Sequence, residues 1–156
     1  MESELLTRLG QFGVEYAVVG GHAVLCYSPA ARADGTFRTL GDLDVLVASS
    51  DDNLVRISGA LSSIGISLTS NALGSIFRAK LLPNLTGGYR AQLFPQIDGV
   101  DTLIALRTSQ SAHSVAGVVP VIEKNLLIQS KKAAGRPKDL EDVRALEAAR
   151  ECTRAV

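Results

Sequence analysis

The apolar positions change period several times along the chain. From Glu2 to Gln11, Leu5, Leu6 and Leu9 recur at helical spacing, predicting an amphipathic helix ended by a turn at Gly13. "VEYAVVG" is then nearly all apolar, a buried strand that runs into Gly20 and Gly21. A second helix is expected to open on that glycine pair and to turn Ala23, Val24 and either Cys26 or Tyr27 inward. "SPAARADGTFRT" has loop composition, and "DLDVLVA" is a second strand. "SSDDNLVRISGALSSIG" starts with Ser and Asp, carries Leu54, Ile57 and Leu61 as a stripe, and ends at Gly65, which predicts a third helix.

The middle of the chain reads as strands: "ISLTS", "GSIFRAKLL" and "GYRAQLFPQI", with "PNLTGG" as a hairpin turn. "GVDTLIALRTS" fits a short helix or a turn, and "SVAGVVPVI" a further short strand. "EKNLLIQSKKAA" and "PKDLEDVRALEAARE" are two helices within about residues 123–152, with Pro137 where a first helical turn tolerates it. This order predicts a single α/β (α+β) domain over residues 1–156, built on a mixed β-sheet.

Composition narrows the function. Sixteen basic residues balance sixteen acidic ones, so no broad attraction to nucleic acid or anionic lipid is expected. Aromatics are 4% of the chain and Trp is absent, which argues against a stacking platform for single strands. Cys26 and Cys152 are far apart and form no CxxC, so they read as reduced thiols of a cytoplasmic protein. The opening "MESELLTRLG" lacks the apolar core of a signal peptide, and no apolar run reaches membrane-spanning length.

Two local features carry chemistry. Asp42 and Asp44 lie one residue apart on an otherwise apolar strand, so their side chains share a face with Cα atoms about 6.6 Å apart. Two carboxylates at that separation can converge on a cation, and Mg²⁺ suits such hard oxygen ligands. The plainer alternative is a solvated strand start that caps or pairs with Arg38. Gly20 and Gly21 end a strand and open a helix, where backbone N–H groups can approach a phosphate. They also fit a tight turn that merely needs glycine. "GGHAVL" lacks the GxGxxG spacing of a dinucleotide fold, and no GK[ST] of a P-loop follows.

Strand, Gly-Gly, helix, an Arg-bearing loop and a strand with DxD together resemble the nucleotidyltransferase superfamily that includes DNA polymerase beta and the small antibiotic nucleotidyltransferases. "VVGGHAVLCY" and "RTLGDLDVLV" carry the likeness, and "LLIQSKKAAGRPKDLEDVRAL" is similar to the tail of small bacterial proteins of that type. It covers about Val14 to Leu146.

The resemblance implies helices packed mainly on one face of the sheet. A nucleoside triphosphate would lie with its phosphates near Gly20 and Gly21, and Mg²⁺ would be held by Asp42 and Asp44. An acceptor hydroxyl on a small molecule, protein or RNA would then receive the nucleoside monophosphate. Relatives carry a third carboxylate on a later strand; the matching position here is Gln92, which cannot act as a base. That departure favours, as the alternative, a catalytically weakened nucleotide-binding relative acting as a sensor or toxin–antitoxin partner.

Asp98 and Asp101 are possible substitutes, but Asp98 is expected roughly 20 Å further along the strand, in a turn with Gly99. His22 stands where many relatives have a hydroxyl residue; it is either a cation for phosphate or a solvated helix-start residue. Arg38 either meets a phosphate or neutralises Asp42. Lys131 and Arg136, in a basic cluster with Lys132 and Lys138, either reach the nucleotide or form a solvated face. Asp139 is expected to cap or pair locally. His113 lies between Ser111 and Ser114, but no GxSxG elbow accompanies it. The short chain leaves no acceptor domain, so a homodimer or a partner protein is expected to complete the cleft.

Overall fold

Residues 1–28 and 39–149 are described by the computed structural model. Arg38 and Cys152, named above, lie outside them. Helix α1 (Glu2–Gln11) leads into β1 (Tyr16–Val19), then α2 (Gly20–Tyr27), β2 (Leu43–Val47) and α3 (Asp51–Ser62). Next come α4 (Ser70–Arg78), β3 (Ala91–Phe94) and α5 (Thr102–Arg107). The hairpin β4 (Gln110–Ser114) and β5 (Gly117–Val121) precedes α6 (Lys124–Ala134) and α7 (Pro137–Ala148).

The strands form one mixed sheet in the order β3-β2-β1-β5-β4. β1 pairs antiparallel with β2 and parallel with β5; β2 and β3 are parallel, and β4 and β5 antiparallel. The register sorts side chains into two faces. One face presents Tyr16 and Val18, Leu43, Val45 and Val47, Ala91 and Leu93, and Val119 and Val121, all buried. Ala112 extends that face to the edge strand. Each Val or Leu among them contributes about 1.5–3 kcal/mol when fully buried.

The opposite face is apolar only near its centre, at Ala17, Val19 and Leu46. Beside them it carries Asp44, Gln92 and Phe94, and towards the hairpin the exposed Val118 and His113. The mixed α+β architecture expected from the sequence is present.

Local chemistry explains the element ends. Leu5, Leu6 and Leu9 are the buried stripe of α1, and the Tyr16 hydroxyl lies 3.5 Å from the Leu6 carbonyl oxygen. Asn53 is fully buried on α3. Its amide donates to the carbonyls of Glu15 and Ala48, and its oxygen accepts from Glu15 N–H. One side chain thus ties the entry of β1 to the exit of β2. The Tyr27 hydroxyl donates to the Ile122 carbonyl at 2.7 Å and fixes the end of α2 to the exit of β5.

Three expectations need correction. "ISLTS" and "GSIFRAKLL" are not strands; Ser70–Arg78 is helix α4. Thr69 caps it by accepting from Ala72 N–H, and Leu73 and Phe77 bury one helical face. "PNLTGG" therefore joins a helix to β3 rather than two strands of a hairpin. Cys26 is disulfide-bonded, so the reduced-thiol argument for a cytoplasmic protein does not hold. No helix among the described residues is long and apolar enough to cross a membrane.

Candidate functional site

Val19 is the partner of Asp44 in the β1–β2 ladder, and Asp44 is the partner of Gln92 in the β2–β3 ladder. Three neighbouring strands thus bring the Gly-Gly turn, the second aspartate and the glutamine to one edge of the open face. A cavity of about 730 Å³ opens there. Gly20, Gly21, Asp42, Asp44, Gln92, Asp98, Lys131, Arg136 and Lys138 are among the residues that line it.

Gly20 has φ of +64°, a conformation that disfavours any residue with a side chain. A Cβ on Gly20 would also lie 2.9 Å from Asp44 Cγ, so the turn and the carboxylate occupy adjoining space. At Gly21 the nearest atom to an added Cβ is Leu40 Cδ2 at 3.8 Å, and the position is open. α2 starts directly on this turn with no side-chain cap and no acidic residue in its first turn. Its first N–H groups are therefore suited to an anion.

Asp42 is about two-fifths exposed and has Arg90 Nε at 3.4 Å. Gln92 Nε2 lies 3.5 Å from Asp42 Oδ2. Asp44 is more withdrawn. Burial pushes its carboxyl above the ordinary value, the charge of Lys131 opposes the rise, and that of Asp42 adds to it. No hydrogen bond holds this carboxylate among the described residues. A partly desolvated carboxylate next to a second one favours a cation, since charge neutralisation removes both costs.

The donor set fits Mg²⁺. Two carboxylates and a neutral amide would leave its remaining positions to water and phosphate oxygens, the coordination Mg²⁺ prefers. Among the described residues no group of three or more His, Cys, Asp or Glu is arranged to hold a metal unaided.

The far wall is a charge network on α6 and α7. Lys131 Nζ lies 3.1 Å from Asp139 Oδ1 and 3.0 Å from Asp142 Oδ2, and its side chain is 11% exposed. Arg136 Nε donates to Asp139 Oδ2 at 2.6 Å. Burial would raise the fully buried Asp139 carboxyl. Hydrogen bonds from Arg136 and Lys131, with their charges, outweigh burial and leave it below its ordinary value. Asp139 thus does pair locally, and it places both cations against the cleft. Lys138 lines the same wall with no ion pair to any described residue.

Two positions differ from expectation. His22 is not part of the cavity lining. Burial lowers its pKa while Glu2 opposes the shift, and its Nδ1 is buried without a partner among the described residues. It is half-buried at the start of α2, outside the residues that line the cleft. Asp98 does line the cleft. The chain turns after Phe94 at Pro95 and doubles back through the Ile97–Val100 bridge, so extended-strand spacing does not apply.

The turn at Asp98 is built in. Gly99 has φ of +68°, its carbonyl accepts from Gln129 Nε2, and a Cβ there would lie 2.6 Å from Ala133 Cβ. Asp98 also contributes its charge to the environment of Arg136. Pro95, followed at Ile97–Val100 by Ile-Asp-Gly-Val, was the signal for this bend. No protein-family model matches the chain, and no curated protein is similar enough to be matched.

Proposed function

We propose that the protein binds a nucleoside triphosphate with Mg²⁺ and transfers the nucleoside monophosphate to an acceptor hydroxyl. The observation that carries this reading is the adjacency of Gly20 and Asp44, which puts a phosphate-accepting turn beside a carboxylate that burial disposes towards a cation. Asp42 and Asp44 would hold the metal, and the N–H groups at Gly20 and Gly21 would receive phosphate oxygens. Lys131, Arg136 and Lys138 would face the remaining negative charge. Bound Mg²⁺ supplies charge neutralisation at the phosphates and aligns attacking and leaving oxygens. The acceptor oxygen bonds to the α-phosphorus as the bond to the bridging oxygen breaks, and pyrophosphate leaves. Gln92 cannot take the acceptor proton, which passes to water or to a carboxylate of the cleft.

The test is pyrophosphate release from labelled nucleoside triphosphates with Mg²⁺ and candidate acceptors. Release that Asp42→Ala abolishes supports the reading; the absence of any Mg²⁺-dependent thermal shift with triphosphate overturns it.

The position of Gln92, paired with Asp44 and within reach of Asp42, favours a second reading. In it the protein binds Mg²⁺–triphosphate without turnover, as a sensor or one half of a toxin–antitoxin pair. Gln92→Asp should then create transfer that the parent lacks, and robust parent activity would dispose of the idea.

A further inference from the structure

A second cavity of about 440 Å³ adjoins the first, and Phe94 and Gln96 line both. Phe94 follows Gln92 by two residues on β3 and so shares its face. Leu54, Phe77, Leu81 and Leu82 supply an apolar wall. Leu81 is 61% and Leu82 43% exposed, which leaves that wall uncovered.

Two cations, Arg78 and Lys80, line the same cavity, against one carboxylate, Asp51. Arg78 donates to Ser75 Oγ at 3.3 Å, and neither cation forms an ion pair with a described residue. Lys80 has φ of +56° at the end of α4, where its N–H bonds Phe77 O and the Leu81 N–H bonds Ile76 O. This end motif normally takes glycine, so a lysine there carries backbone strain.

We infer that this cavity is a subsite for a small amphipathic anion, a molecule with an apolar body and a carboxylate or phosphate. The volume suits a small molecule. The apolar body lies against Phe77, Leu81 and Leu82, and the anion meets Arg78 and Lys80. Phe94 and Gln96 border both cavities, so a hydroxyl carried by such a molecule would lie beside the carboxylate cleft. The subsite thus names the acceptor class, a role that rests on the transfer reading above.

The experiment titrates 4-phenylbutyrate into ¹⁵N-labelled protein and follows amide shifts. Saturable shifts over residues 77–82 and at Gln96 are expected, with Gly20 and Gly21 little moved. The amine 4-phenylbutylamine should bind about tenfold more weakly, and Arg78→Gln and Lys80→Gly should each weaken butyrate several-fold. No saturable shift, equal binding of the amine, or shifts centred on Gly20 and Gly21 would overturn the subsite. Mg²⁺–ATP is titrated separately and followed at Gly20, Gly21 and Gly41. If ATP fails to bind while butyrate binds as expected, the transfer reading falls and the subsite stands.

Discussion

The Asp44 carboxylate occupies the space that a side chain on Gly20 would need. Gly20→Ala therefore meets two penalties, a left-handed backbone and a steric overlap, while Gly21→Ala meets neither. We expect Gly20→Ala to cost about 1–3 kcal/mol and to lower Tm by several degrees. Gly21→Ala should stay within about 0.5 kcal/mol of the parent. Thermal denaturation of the two variants without Mg²⁺ separates a merely flexible glycine pair from the built turn.

Asp44→Asn should divide stability from binding. Because burial raises the Asp44 pKa in the folded state, this group stabilises the fold fully below its unfolded value, 3.8. That contribution is lost as pH rises through the folded value. At neutral pH and without metal, Asp44→Asn is expected to keep or raise Tm. With Mg²⁺ and triphosphate it should lose the ligand-dependent rise in Tm. A metal-free Tm well below the parent's would show that the carboxylate serves the fold.

Asp139 behaves with the opposite sign. Its lowered pKa contributes stability above its unfolded value of 3.8, lost as pH falls through the folded value. Asp139→Asn leaves Lys131 nearly buried beside Asp142 alone and should cost about 2–4 kcal/mol at neutral pH. Measured from pH 7 down to pH 3, the gap to the parent should narrow. A gap constant across that range would exclude an ionic role for Asp139.

Lys80→Gly should relieve a strained helix end. We expect a gain of about 1 kcal/mol in stability, read as a higher urea midpoint at unchanged m. A loss of stability instead would mean that the lysine side chain supports the fold through its own packing.

Most elements were legible because their periodicities were long and their ends marked, as in α1, α3 and the two C-terminal helices. α4 was hidden by Gly74 and by β-branched and hydroxyl residues around its start. The visible clues were Thr69 as cap and the four-residue spacing of Leu73 and Phe77. β4 escaped because "QSAHS" is an edge strand whose alternation is mostly polar. Within the site, the Gly-Gly turn, Asp42 and Asp44 were readable from local spacing, whereas Gln92 was singled out only by the resemblance described above. Asp98 was not, because a bend at Pro95 cannot be measured along a straight strand. His22 is half-buried, and its electrostatic neighbour Glu2 comes from α1, a pairing that local spacing does not reveal.

The wall formed by α6 and α7 has its own consequence. Lys131 is already shared between two acids of the chain, so Asp139 and Asp142 act as resident competitors for any incoming anion. A singly charged metabolite has little to offer such a satisfied lysine. On the transfer reading proposed above, a densely charged polyphosphate arriving with its own magnesium would draw on it without leaving those acids bare. Discrimination against weak anions would then be achieved by occupancy of the lysine, with no steric gate required.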